Sequence, residues 1–148
     1  MKPIFYAVAL CVGLAASAQA TPAPDPALAP FPQFIDAMNA GNAAKAAATY
    51  APSVTIIDEF GPHIWTSFAA WAGDLGASFK TGGVTDFHIV LSPVSFKNVN
   101  ATSGYGVAPA TLSFKLKGKP MTEKGLFTFS TAKSAAGWRI TGWAWSTL

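Results

Sequence analysis

The stretch Thr55-Ile56-Ile57-Asp58-Glu59-Phe60-Gly61-Pro62-His63-Ile64-Trp65 places two carboxylates, a histidine and a tryptophan close together in the chain. The rest of the sequence is poor in charge, since Asp, Glu, Lys and Arg make up only 11% of its residues. The β-branched run over residues 54–58 predicts a short strand, Gly61-Pro62 predicts a turn, and residues 63–66 predict a return strand. We therefore expect a strand–turn–strand unit that carries the polar residues of a pocket.

Upstream of this unit, apolar residues recur at helical spacing over residues 31–39 and again over residues 43–50. Between these runs, Gly41 suits the C-terminal cap of one helix and Asn42 suits the N-cap of the next. Downstream, Ser67 is a suitable N-cap for a third helix, whose apolar residues share one face and which ends at Gly82-Gly83. The sequence thus predicts three helices.

The remainder of the chain has the composition and alternation of β-strands. We predict four long strands at residues 84–97, 101–117, 121–133 and 138–146, with a bend at Pro93 in the first of them. Alternation of side chains places Trp143 and Trp145 on one face of the last strand. Three helices followed by a long antiparallel meander are typical of an α+β fold.

The N-terminal residues have the features of an export signal. Lys2 supplies a positive start, residues 4–16 are uncharged, and Ala18-Gln19-Ala20 is a small-x-small cleavage site, so residues 1–20 predict a signal peptide. The uncharged run is too short for a comfortable membrane span. The prolines among residues 21–30 predict an extended tether, and residues 31–148 predict one domain. We expect an exported protein, periplasmic or secreted, without a membrane span after cleavage.

Charge and cysteine content exclude several classes of protein. Without Lys2, nine Lys and Arg residues stand against seven Asp and Glu residues. The lysines at 115, 117, 119 and 124 cluster at one predicted turn, whereas nucleic-acid-binding proteins show broader basic faces, so we expect no nucleic-acid partner. The single cysteine, Cys11, lies in the predicted signal peptide. A metal site needs three or four converging ligands; Asp58, Glu59 and His63 could supply three at most, with no second cluster in the sequence, so we expect no metal. We also expect no cofactor.

Two parts of the chain resemble a known family. They are residues 34–42 (Phe-Ile-Asp-Ala-Met-Asn-Ala-Gly-Asn) with residues 49–58 (Thr-Tyr-Ala-Pro-Ser-Val-Thr-Ile-Ile-Asp), and residues 137–143 (Gly-Trp-Arg-Ile-Thr-Gly-Trp). Together they resemble the SnoaL-like and ketosteroid-isomerase-like branch of the nuclear transport factor 2-like superfamily. The resemblance implies an α+β fold, in which a cone-shaped, curved antiparallel sheet wraps around three N-terminal helices and encloses a pocket. It also implies a homodimer formed through the open sheet.

The resemblance assigns positions to the catalytic groups of enzymes similar to ketosteroid isomerase. Asp58 matches the aspartate base at the end of the first strand. The two oxyanion donors of those enzymes match Phe34 and Gly125, whose side chains donate no hydrogen bond. Because such donors often contribute about 3 kcal/mol each to catalysis, the chain is not expected to be a ketosteroid isomerase. Whether it is another kind of enzyme stays open.

Asp58 is the candidate general base and His63 its candidate acid–base partner, because a carboxylate in an apolar pocket gains a raised pKa and histidine titrates near neutral pH. Alternation predicts that one of Asp58 and Glu59 points into the pocket and the other away from it, and that His63 and Trp65 share a face. The candidate ligand-binding residues are Phe34, Tyr50, Glu59, Trp65 and Trp143.

Three functions are compatible with this sequence, because the fold hosts isomerases, cyclases, dehydratases and non-catalytic modules. The leading hypothesis is binding of a small apolar or amphipathic molecule without catalysis. The second is a general-base enzyme of isomerase, cyclase or dehydratase type that uses Asp58. The third is a dimerisation or interaction module with a filled interior. A cavity that exposes Asp58 or His63 would favour the first two.

Overall fold

The computed structural model describes residues 25–148, so the predicted signal peptide and residues 21–24 lie outside the described residues. Within the described range the helices are α1 (Pro30–Asn39), α2 (Ala43–Ala47) and α3 (Phe68–Gly82). The strands are β1 (Tyr50–Ile57), β2 (Ile64–Trp65), β3 (Val84–Leu91), β4 (Phe96–Val99), β5 (Ser103–Leu116), β6 (Lys119–Ser134) and β7 (Gly137–Thr147). This order of elements confirms the predicted α+β fold.

Local capping explains where the helices begin and end. The side chains of Asn42 and Ser67 accept hydrogen bonds from the first turns of α2 and α3, respectively. Gly41 follows α1 with a φ of 64°, and Gly83 follows α3 with a φ of 71°. Such left-handed positions favour glycine because it has no Cβ. The predicted caps are therefore the observed ones.

The strands form one curved, open sheet in the order β2-β1-β7-β6-β5-β3, with β4 paired to β5 alongside β3. All neighbouring strands are antiparallel except β1 and β7, which run parallel, so the sheet is mixed rather than wholly antiparallel. The parallel pair places the C-terminal strand beside the loop that follows β1. That neighbourhood brings residues from both ends of the domain to one place.

Three details of the predicted layout are wrong. The second helical run, predicted over residues 43–50, ends at Ala47, and β1 begins at Tyr50 rather than at residue 54. The single strand predicted over residues 84–97 is divided into β3 and β4, because the chain leaves the ladder around Pro93, which has no amide hydrogen to donate. The second half of the predicted tether is a turn packed on the domain, since Ala27 and Leu28 are buried. The hydroxyl of Thr131 donates to the Ala27 carbonyl oxygen at 2.7 Å and holds this turn against β6.

Beneath α1 the concave face of the sheet is filled. Phe31 and Phe129 are almost completely buried, and their rings stack with centroids 4.2 Å apart. On β5, Gly106 lies opposite Phe129 and Gly104 lies opposite Thr131, and a Cβ at Gly106 would collide with the Phe129 ring. We call this region, defined by Phe31, Gly104, Gly106, Phe129 and Thr131, the packed half of the interior.

Among residues 25–148, none of the helices is both long enough and apolar enough to cross a lipid bilayer.

Candidate functional site

The loop between β1 and β2 positions Asp58 and Glu59. Asp58 is the first residue after β1, and its amide donates to the His63 carbonyl oxygen at 3.1 Å, which closes the loop. The amide of Glu59 donates to Asp58 Oδ1 at 2.8 Å. The Asp58 carboxylate is therefore held by its own loop.

A cavity of about 190 Å³ lies between α3 and the concave face of the sheet. Its walls are largely aromatic and aliphatic, and its polar side chains are three carboxylates and one hydroxyl. Drug-sized ligands occupy clefts of about 300–1,000 Å³, and a cavity of about 150 Å³ holds benzene, so the volume of this cavity is nearer to that of the benzene-sized cavity. The lining residues are Phe34, Asp58, Glu59, Phe60, Trp71, Leu75, Ser78, Phe79, Val84, Phe87, Ile89, Leu112, Phe114, Glu123, Phe127, Trp143 and Trp145.

Three carboxylates, those of Asp58, Glu59 and Glu123, come together at the cavity wall. The Thr147 hydroxyl oxygen lies 2.7 Å from Glu59 Oε2 and 2.7 Å from Glu123 Oε1. A hydroxyl carries one proton, so it can donate to only one of these carboxylates at a time. The β1–β7 and β6–β7 pairings create this meeting, because β7 ends between the Glu59 loop and β6.

Burial and mutual repulsion perturb these acids. Burial raises the pKa of the Asp58 carboxyl, while hydrogen bonds from Trp71 and from the Glu59 amide oppose that rise. Burial also raises the pKa of Glu59; the Thr147 hydroxyl opposes the rise, whereas the charge of Glu123, a hydrogen bond between the Glu59 and Glu123 carboxyl groups, and the charge of Asp58 add to it. Both acids therefore bind a proton more readily than a carboxyl group in water.

The indole N–H groups of the cavity tryptophans donate hydrogen bonds to oxygen atoms of the protein. Each of the three indoles is within hydrogen-bonding distance of one acceptor. The pairs are Trp71 with Asp58 (2.9 Å), Trp145 with Glu123 (3.2 Å), and Trp143 with the Tyr50 hydroxyl (2.7 Å). Their donors are consequently engaged inside the protein, and their rings supply apolar surface to the cavity.

The structure brings four of the seven predicted site residues to the cavity: Phe34, Asp58, Glu59 and Trp143. Tyr50 is buried outside the lining, where its hydroxyl accepts from Trp143, and burial raises the pKa of this phenol. Trp65 is also buried outside the lining, with its indole donating to Asp74 Oδ2 at 2.8 Å.

His63 is exposed and does not line the cavity. Its Nδ1 lies 3.2 Å from the main-chain oxygen of Asp58 rather than from the carboxylate. The prediction that His63 and Trp65 share a face is wrong, because His63 has a φ of 76° and lies in the turn before β2. The predicted opposition of Asp58 and Glu59 is wrong as well: both line the cavity, since alternation stops where β1 ends at Ile57.

The two positions matched to oxyanion donors hold no side-chain donor. Phe34 presents a phenyl ring to the cavity. A Cβ built at Gly125 would lie 2.5 Å from Cη2 of Trp145, so the indole ring fills the space that an acidic side chain there would need. Neither position therefore offers a side-chain hydrogen-bond donor to the cavity.

Sequence reasoning missed Glu123, which faces the cavity from β6. A signal was present, because Glu123, Phe127 and Phe129 are separated by even numbers of residues and so share one face of a strand. It also missed the cavity role of Trp71, whose buried indole binds Asp58. In the part of the chain that the structure describes, no group of three or more His, Cys, Asp and Glu residues is arranged to hold a metal ion.

No protein-family model matches the sequence, and no curated protein matches it. Solved structures do match. A ketosteroid isomerase-like protein from Erwinia carotovora atroseptica is 18% identical with a TM-score of 0.66, over 83% of this chain and 94% of that chain. A nuclear transport factor 2-like superfamily protein from Salmonella enterica serovar Typhimurium is 11% identical with a TM-score of 0.68, over 80% and 86%.

A candidate ketosteroid isomerase from Shewanella frigidimarina is 24% identical with a TM-score of 0.65, over 83% of this chain and 96% of that chain. At these identities the likeness concerns the fold, and a shared fold does not carry an activity with it. The chain has the nuclear transport factor 2-like fold, with ketosteroid isomerase-like proteins among its structural neighbours.

Proposed function

We propose that this chain binds a small, largely apolar molecule of one or two rings in the cavity, with the polar end of the ligand at the carboxylates. The observation that carries the proposal is an aromatic cavity of about 190 Å³ with Asp58, Glu59 and Glu123 at its wall. Apolar concave sites with a few convergent polar groups are where proteins usually bind small ligands. An interior with this much space argues against the filled interaction module.

The test uses a size series of neutral phenols: phenol, 2-naphthol and 17β-estradiol, measured by saturation-transfer NMR against the purified protein. We expect 2-naphthol to bind, and the four-ring estradiol to bind more weakly because the cavity is too small for it. If none of the three compounds binds, the proposal is wrong.

Two neighbouring residues on β3 provide a matched pair of variants. Ile89 is 6% exposed and lines the cavity, whereas Val90 is 54% exposed and is absent from the lining. Ile89→Trp should fill the cavity and abolish 2-naphthol binding, while Val90→Trp should leave it intact. Melting curves of both variants establish that each is folded. Equal binding by the two variants would place the ligand elsewhere.

A second candidate function is proton abstraction from a bound ligand by Asp58. It is supported by the position of this carboxylate at an apolar cavity and by its raised pKa. Asp58→Asn should then remove turnover of the substrate while retaining its binding. Ketosteroid isomerisation itself should be absent, because Phe34 and Gly125 provide no oxyanion donor. Conversion of a Δ5-3-ketosteroid that disappears in Asp58→Asn would contradict this expectation.

We further propose that the protein is exported and acts as a homodimer through the convex face of the sheet. A shallow groove on that face is lined by Ile57 and Tyr105, which are 44% and 39% exposed. Sedimentation equilibrium should give a dimer that Ile57→Glu converts to monomer. Intact-mass measurement of exported protein should give a chain that begins at Thr21.

A further inference from the structure

We infer that the cavity selects a cationic ligand, namely an aromatic or alkyl amine whose ammonium group lies against Asp58, Glu59 and Glu123. This inference rests on the proposed ligand-binding function and adds the charge of the ligand to it. Three features of the described residues support it: the charge of the cavity wall, the hydrogen-bonding groups left for a ligand, and the aromatic rings beside the carboxylates.

The first feature is a negative charge without a counter-ion. None of the described residues that line the cavity is Lys, Arg or His. Within residues 25–148 the ion pairs are Lys97–Asp25 at 3.4 Å and Lys115–Asp86 at 2.7 Å, and neither includes a cavity carboxylate. Carboxylates at an apolar wall repel one another and an anionic ligand, and a bound cation would relieve that repulsion.

The second feature is the kind of hydrogen bond that the cavity can offer. The indole donors of Trp71 and Trp145 already serve Asp58 and Glu123. The hydroxyl of Ser78 is the remaining side-chain donor among the described lining residues, whereas each carboxylate has about four lone-pair sites. A ligand that donates hydrogen bonds, such as an ammonium group with three donors, therefore finds partners more readily than a ligand that accepts them.

The third feature is the aromatic surface around the acids. Trp71 and Trp145 are each hydrogen-bonded to one of the carboxylates, so an indole ring adjoins the place where the ammonium group would lie. Each indole turns its N–H edge toward its carboxylate, and a cation is attracted to the face of an aromatic ring within about 6 Å of the ring centroid, so the ammonium group must lie beside the carboxylate and over the indole face. The remaining aromatic wall, which includes Phe34, Phe127 and Trp143, accepts the apolar body of the amine. Charge and shape together favour a compact aromatic amine.

The test compares three ligands of nearly equal shape at pH 7.5: 2-naphthylmethylamine as the cation, 2-naphthylmethanol as the neutral isostere and 2-naphthoate as the anion. Affinities are measured by isothermal titration calorimetry with the purified protein. We expect the affinity for the amine to be at least about tenfold higher than that for the alcohol, and the affinity for the naphthoate to be the lowest. The amine advantage should shrink only modestly in high salt, because the Asp58 and Glu123 carboxylates are partly buried and partly buried charges are screened less than exposed ones.

Variants show which carboxylates produce the preference for the amine. Glu123→Gln and Asp58→Asn should each reduce the ratio of amine affinity to alcohol affinity severalfold, since an amide keeps an acceptor for the indole but carries no charge. Asp86→Asn is the matched control, because that carboxylate is exposed, paired with Lys115 and absent from the cavity lining. It removes the same charge from the molecule and should leave the amine advantage intact.

The outcomes separate this inference from the function on which it rests. Equal binding of amine and alcohol would overturn the cationic selectivity while leaving the apolar binding site in place. Absence of binding by all three ligands would overturn both. A loss of amine advantage in Asp86→Asn as large as in Glu123→Gln would also overturn the inference, because net charge rather than the cavity would then explain the preference.

Discussion

The two halves of the interior differ although they share one strand. On β6, Phe129 and Thr131 lie in the packed half and are almost fully buried, whereas Glu123 and Gly125 belong to the half that contains the cavity. All four side-chain positions face the concave side of the sheet by alternation. Alternation thus determines the face of a strand residue, and the elements that cover this face decide whether the space is filled.

The covering elements explain the difference. Over the packed half, α1 brings Phe31 onto Phe129, and glycines on β5 leave room for close contact. Over the other half, α3 brings the indole of Trp71 and the ring of Phe79, and a space of about 190 Å³ is left among them. Close-packed interiors resist deformation. The packed half therefore contributes more to stability, and the cavity half leaves open space beside the carboxylates.

The largest expected effect is the loss of a ring from the packed half. Phe31→Ala should lower the free energy of unfolding by about 3–5 kcal/mol, because the ring is fully buried and the space cannot collapse easily. Phe79→Ala, in the cavity half and only partly buried, should cost about 1–2 kcal/mol. Urea titrations followed by circular dichroism measure both. Similar losses of unfolding free energy in the two variants would contradict the distinction between the packed half and the cavity half.

The next effect is overpacking. Gly106→Ala would drive a methyl group into the Phe129 ring, which is held by its stack on Phe31, so we expect a loss of about 1–3 kcal/mol. Gly76→Ala is the matched control in α3, where a Cβ meets no atom within 4 Å. It should be neutral or stabilising by up to about 1 kcal/mol, because alanine favours helices. If Gly106→Ala leaves the free energy of unfolding unchanged, the side chains of the packed half can rearrange to accept an added methyl group.

A smaller effect concerns pH and the cavity half. The folded state raises the pKa of Asp58 above its usual value of 3.8, so in the window between that value and the folded pKa the folded chain binds more protons than the unfolded chain. Stability contributed by Asp58 is therefore present at low pH and is lost as the pH rises through the window. Because Asp58 is partly exposed, screening should limit the loss to about 1 kcal/mol.

Asp58→Asn should flatten that part of the stability–pH profile, measured by urea unfolding at pH values from 3 to about 8. Asp36→Asn, which removes an exposed carboxylate from α1, serves as the control for the change in net charge. A profile that Asp58→Asn leaves unchanged would mean that this carboxylate is not desolvated by the cavity half.

The smallest expected effect is that of His63. His63→Ala should change stability by no more than about 0.5 kcal/mol, because the side chain is exposed. It should also leave the affinity for 2-naphthol unchanged, because His63 does not line the cavity. Calorimetric titration of the variant measures this affinity. A tenfold loss of affinity would contradict the placement of His63 outside the binding site.

Local signals in the sequence were sufficient for the helices, their caps at Asn42 and Ser67, most of the strands, and the shared face of Trp143 and Trp145. These features depend on residues within a few positions of one another, where main-chain conformation, capping and alternation operate. The same locality explains why Asp58 could be predicted to lie at the cavity, since it directly follows an apolar strand. It also explains the error at Glu59, where the strand had already ended.

The tertiary structure alone decided which residues meet. Glu123 lies beside Glu59 only because β7 pairs with both β1 and β6, and no local pattern encodes that pairing. The space in the cavity half depends on the placement of α3 over the sheet. The space beside Gly125 is occupied by the indole ring of Trp145 from the neighbouring strand β7. Contacts between distant segments arise from the packing of whole elements. For this reason the charge of the cavity, and with it the class of ligand inferred here, becomes visible only in the folded chain.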